Sequence, residues 1–254
     1  MKKFKNILSR LLLVFTVFCL FVSPITNLNL AEAKMTEKVR FEKQIIKDVD
    51  TLYDRAQKGI TDLDSKHKDK LFKYKAAMID EKNGNKKDVD VYETTQLYKQ
   101  TEGEDGSITS YYATTIMAVP YYDDSKYKSV SDGSGGVKAY GTFYWLTNYI
   151  NGIEYVDMVY VDGGWTVGDS RLTVSDRKYW YGQSGFNLDR FFVQNTSPTY
   201  TTSSFTFART VDSSWAPISL TTKYSIGLNS SCKITHTGNG SSWVLKMENV
   251  MSAS

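Results

Sequence analysis

Past residue 87 the chain is a succession of short runs in which apolar and polar side chains alternate. Residues 137–145 put Val137, Ala139, Gly141, Phe143 and Trp145 on one face and Lys138, Tyr140, Thr142 and Tyr144 on the other. Phe205 and Phe207 alternate with Ser204 and Thr206. Leu220, Tyr224 and Ile226 oppose Thr221, Lys223 and Ser225, and Trp243, Leu245 and Met247 oppose Lys246 and Glu248. A period of two is that of a strand with one buried face. Turn residues separate the runs at Glu104-Asp105-Gly106, Asn151-Gly152, Asp162-Gly163-Gly164 and Gly238-Asn239-Gly240. Asn151-Gly152 predicts a hairpin, because a type I′ turn needs positive φ at both central residues. Strands without intervening helices predict a mainly β protein, with an antiparallel β-sandwich or open barrel over residues 83–254.

The preceding stretch has a different period. Val39, Ile46, Val49, Tyr53, Ala56, Ile60 and Leu63 recur at three- and four-residue spacing, widened by Phe41, Ile45 and Leu52. Such a stripe predicts an amphipathic helical arm over 34–82, with Glu42 in its seam and Gly59 and Thr61 marking a break and a restart. Leu71, Phe72, Ala76 and Ile79 continue the face in a shifted frame. The stripe must cover either the chain's own β domain or a partner helix, including that of a second copy. The polar run 83–87 is the expected boundary.

Residues 1–33 have the pattern of a cleaved secretory signal peptide. Lys2, Lys3, Lys5 and Arg10 precede an apolar run from Leu11 to Val22, and Ala31 and Ala33 stand at −3 and −1 of a cleavage after Ala33. The lysine-rich style of this segment resembles export signals of Gram-positive bacteria. The apolar run is shorter than the roughly 20 residues a membrane span requires, so the reading is a secreted or cell-surface protein without a stable span after cleavage. Four of the 31 basic and one of the 28 acidic side chains fall in the signal, leaving 27 of each and no net field to draw the mature chain to nucleic acid. Of the two cysteines, Cys19 leaves with the signal and Cys232 remains without an intramolecular partner.

Chemistry-bearing motifs are sparse. H-E-x-x-H, G-x-S-x-G and Walker patterns are absent from the sequence. Gly168-Asp169-Ser170 reads as a turn. A nucleophile there would need His67 or His236 as its base. Cys232 and His236 share a strand face, but at i and i+4 they stand roughly 13 Å apart. Asp157, Asp162, Asp169 and Asp176 are the acids from which a carboxylate-based hydrolase would draw its pair. Asp123, Asp124 and Asp132 offer oxygen ligands of the kind calcium takes, without EF-hand spacing, and no other cofactor is implied.

The aromatic residues, 14% of the chain with 18 tyrosines, carry the strongest functional signal. Tyr140 and Tyr144 face away from Phe143 and Trp145, and Tyr179 and Tyr181 flank Trp180. Exposed flat rings with hydroxyl tips suit stacking on a sugar or contact with a protein. These four tyrosines are the expected ligand-binding residues of a non-catalytic module for a cell-wall polymer, glycan or protein partner. A pore-forming toxin or assembly subunit is the alternative, from the Thr/Ser alternation over 199–206, with the hydrolase as a third reading.

Overall fold

A computed structural model describes residues 37–64, 67, 72–120, 136–221 and 223–250. The signal segment 1–33 and the loop acids Asp123, Asp124 and Asp132 lie outside the described residues. The described chain is mainly β, built as two curled antiparallel sheets of seven strands each. The first sheet runs β1 (Lys38–Glu42), β4 (Val91–Glu102), β5 (Ile108–Ala118), β6 (Val137–Ile150), β7 (Ile153–Val167) and β11 (Thr206–Thr210), with β12 (Ile218–Ser219) also on β7. The second runs β10 (Tyr200–Thr202), β8 (Leu172–Phe186), β13 (Ser225–His236), β14 (Ser242–Asn249), β2 (Tyr74–Asp80) and β3 (Lys86–Val89), with β9 (Phe192–Thr196) on β8.

Alternation decides what each strand buries. Val137, Ala139, Phe143 and Trp145 join Val156, Met158, Val161 and Trp165 of β7 in one core, which the second sheet completes with Ile226, Leu228, Cys232, Leu245 and Met247. Fully burying a side chain such as Phe143 contributes roughly 1.5–3 kcal/mol. Gly141 lies on the same face, where a Cβ would stand 2.0 Å from Leu228 Cδ2 of the opposite sheet. The inner residue there is glycine because the sheets approach too closely for anything larger. Bulges at Leu97/Lys99, Tyr144/Trp145 and Ser231/Lys233 interrupt the ladders, and such insertions increase local twist.

The Asn151-Gly152 turn is as expected, with φ of 52° and 78° between paired Ile150 and Ile153. Asp162-Gly163-Gly164, expected as a turn, is instead the interior of β7. A Cβ on Gly164 would stand 2.3 Å from the Phe205 carbonyl oxygen, so these glycines admit a neighbouring backbone.

The helical arm over 34–82 is corrected by the structure. Among its described residues only α1 (Val49–Gln57) is α-helical, capped by Asp48, whose carboxylate accepts from Thr51 N at 2.8 Å. Gly59, at φ 63°, ends it. Residues 38–42 form an exposed edge strand on β4, irregular between Val39 and Phe41, so neither residue belongs to a helix stripe. Residues 74–80 pair on both edges, with β14 and β3. Their Ala and Met side chains favour helix intrinsically, but ladder bonding and burial of Ala76, Ala77 and Met78 override that preference. The polar run at 83–87 is therefore the β2–β3 hairpin and no domain boundary; Asp80 caps its turn and Gly84 adopts φ 73°. The helix lies on the outer face of the first sheet, where Leu52 and Tyr53 pack with Met117, Tyr92 and Tyr140.

Candidate functional site

On the outer face of the second sheet, Gly182 of β8 pairs directly with Gly227 of β13. The two facing glycines carry no side chain there, and the space over Gly227 is taken by the Tyr74 hydroxyl and the Asn249 carboxamide. On the same face the flanking pairs are Trp180 with Asn229 and Ser184 with Ser225. These pairs form two walls, while Asn195 of β9 and Asn249 of β14 close the edges of a trough of about 310 Å³. Neither glycine can be replaced simply, since a Cβ on Gly182 would meet the Asn195 carbonyl at 2.8 Å and one on Gly227 would meet the Tyr74 hydroxyl at 2.1 Å.

The polar groups of the trough are held in place by backbone bonds. Asn229 Oδ1 accepts from Asn249 N at 2.7 Å, and Asn249 Nδ2 donates to the Ile226 carbonyl at 3.2 Å. The Ser225 hydroxyl donates to Asn249 Oδ1. Each carboxamide has two donor hydrogens and two acceptor lone pairs, so these bonds orient the groups without exhausting them. Glu248 also lines the trough and holds Lys246, whose Nζ lies 6.0 Å from the Trp180 ring centre. One indole beside amides, hydroxyls and a carboxylate matches a ligand with an apolar face and a hydroxylated rim.

A second cavity of about 390 Å³ lies on the outer face of the first sheet, between Ile46, Lys47 and Leu52 on one side and Tyr140, Tyr144 and Asp162 on the other. Asp162 accepts from the Tyr144 hydroxyl at 2.9 Å, and burial raises its carboxyl above the ordinary range against the nearby Lys47 charge. It is the one carboxylate among the described residues lining this cavity. Tyr98, Tyr144 and Tyr160 form edge contacts beside it.

The four expected tyrosines therefore separate. Tyr140 and Tyr144 do face away from the core, but α1 and the segment before it cover that face; Tyr140 is half-buried and Tyr144 is buried. Tyr179 and Tyr181 point inward. Tyr179 stacks on Phe207 at 3.9 Å between ring centres and accepts from Arg209 Nε at 3.0 Å. The expectation of exposure fails because β8 changes parity: Leu172 and Val174 point inward, an irregularity at Asp176 (φ 48°) adds a residue, and Arg177, Tyr179 and Tyr181 point inward beyond it. Trp180 is the residue left on the open face. Alternation along 179–181 already separates Trp180 from its neighbours; which side faces water depends on the bulge.

The remaining candidates are engaged in the fold. Cys232 is fully buried, and desolvation pushes its thiol up to about 12. His236 is buried on the same strand and accepts from Gly238 N at 3.1 Å. His67 stands against Glu154 at 2.8 Å and Asp64 at 2.6 Å, with the Glu154 bond raising its pKa. Asp169 forms a bidentate pair with Arg171, Oδ1 accepting from Nε at 3.0 Å and Oδ2 from Nη2 at 2.6 Å, and Asp157 accepts from Gln183 at 3.1 Å. Residues 199–206 supply β10 and the start of β11, which pair with different sheets and not with each other. Among the described residues no group of three or more His, Cys, Asp or Glu side chains is placed to hold a metal, and no helix is long and apolar enough to cross a membrane. The chain matches no protein-family model, no curated protein and no solved structure.

Proposed function

We propose that this chain is a secreted, non-catalytic β module that binds a saccharide of the cell wall or cell surface in the trough of the second sheet. The observation that carries the reading is the facing Gly182–Gly227 pair, which opens a recess beside Trp180 between oriented asparagines. A pyranose ring presents C–H groups on its faces and hydroxyls around its edge, so it can lie against the indole while its rim meets Asn229, Asn249 and Glu248. The Tyr140/Tyr144 cavity ranks below the trough because Tyr144 is buried and its hydroxyl is committed to Asp162. The signal-like segment 1–33 supports export, and the shared core of the two sheets supports a sandwich architecture.

Titration calorimetry against a panel of wall-derived and neutral hexose oligosaccharides tests the assignment. Trp180→Ala removes an outward ring and should weaken binding by about 2 kcal/mol, roughly thirtyfold in Kd, as for a typical anchor residue. Absence of binding across the panel, or affinity unchanged in Trp180→Ala, would refute the reading.

A further inference from the structure

The exposed large apolar side chains of this protein are concentrated. Of the ten among the described residues, six belong to two hairpin tips: Tyr149 and Ile150 at the β6–β7 turn, and Phe186, Leu188, Phe191 and Phe192 at the β8–β9 turn. Phe191 is 70% exposed. Both tips lie at one pole of the molecule. The short link 168–171 joins β7 to β8 at the opposite end, so the start of β7 and the end of β8 come together. Ile218 marks their common level, since it pairs with Val156 of β7 and would lie 3.2 Å from a Cβ on Gly185 of β8. From that level each strand runs about three residues to its tip, roughly 10 Å on either side.

We propose that this pole docks onto a phospholipid bilayer, the two tips entering the headgroup and upper acyl region without spanning it. The backbone of the β8–β9 loop supports entry into a medium poor in water: Asn187 Oδ1 accepts from Asp189 N at 3.1 Å and Phe191 N at 2.9 Å, Asn187 N donates to the Phe191 carbonyl at 2.9 Å, and Arg190 N donates to the Asn187 carbonyl at 3.0 Å. With the amides of Asn187, Asp189, Arg190 and Phe191 satisfied internally, the loop avoids part of the penalty that bare polar groups meet in hydrocarbon. Around this tip Arg190 and the exposed Lys223, next to the Tyr224 that meets Gly185, outnumber Asp189 and can keep their charges at the headgroups. Tyr149 has the amphipathic ring that settles at such an interface.

The test reports from the tip itself, so the apolar run in 1–33 cannot produce its signal. Phe191→Trp in the full chain is mixed with equimolar phosphatidylcholine–phosphatidylglycerol vesicles, with and without acyl-chain bromination. The difference spectrum against wild type should shift to the blue and be quenched by brominated lipid, and adding Leu188→Ser should reduce the quenched fraction at least tenfold at limiting lipid. Emission from the introduced indole that is indifferent to vesicles would overturn the proposal. So would a blue shift that grows with protein concentration in the absence of lipid, which would assign the tips to self-association. Saccharide binding depends on Trp180 and is measured separately, so either reading can fail without the other.

Discussion

Glu93 offers a sharp test of how the two sheets close. Its strand neighbours Tyr92 and Thr94 serve the helix side: Tyr92 packs under α1 and the Thr94 hydroxyl donates to the Ile60 carbonyl at 2.8 Å. Alternation therefore turns Glu93 inward, opposite Ile116, which is fully buried. Desolvation alone raises its carboxyl from an ordinary 4.5 to about 7. A rise from 4.5 to about 7 corresponds to about 3 kcal/mol between the two protonation states. The raised folded value means the stability tied to the neutral carboxyl is complete below 4.5 and is lost as pH rises through about 7. Glu93→Gln removes that titration. Denaturant unfolding of both proteins from pH 4 to pH 9 should show the variant gaining on wild type by about 3 kcal/mol across the range, whatever constant offset the amide introduces. A stability difference independent of pH would refute the inward placement of this carboxyl.

His67 behaves in the same direction for a different reason. Glu154 and Asp64 raise its folded pKa above the ordinary 6.5, so the contribution of the protonated ring is present below that value and disappears as pH rises through the folded pKa. The stability advantage of wild type over His67→Gln should accordingly shrink as pH rises above 6.5 in denaturant melts, and a constant advantage would contradict the pairing. Gly141→Ala should cost about 1–3 kcal/mol by driving a methyl into Leu228, and an unchanged Tm would show that the sheets can separate at that point. The Cys232 thiol, pushed up to about 12 in the core, should react with a thiol reagent at about pH 8 only at the rate of unfolding; rapid labelling of folded protein would contradict its burial.

Much of the β architecture is legible because period-two alternation depends on nothing beyond the strand itself. Val137 through Trp145 needs no partner to divide its side chains between two faces, and Asn151-Gly152 announces a turn by its tolerance of positive φ. Reading fails where a neighbour changes the period or covers a face. Strand β2 is paired on both edges and buries three consecutive residues, so its sequence shows no alternation and resembles a continuation of α1. The Asp162-Gly163-Gly164 glycines look like a turn until β11 is seen approaching their backbone.

The same distinction governs the candidate site. Residues 179–181 by themselves determine that Trp180 opposes its two tyrosine neighbours, since successive strand side chains leave on opposite faces. Only the tertiary structure decides which of the three meets water, because the irregularity at Asp176 and the packing of Phe207 on Tyr179 select the inward face. The trough also depends on tertiary pairing: Gly182 and Gly227 stand 45 positions apart in sequence, and their value as a recess exists only once register sets them opposite each other. Local periodicity is a property of the covalent chain, whereas face, register and concavity arise from which segments come to lie against one another.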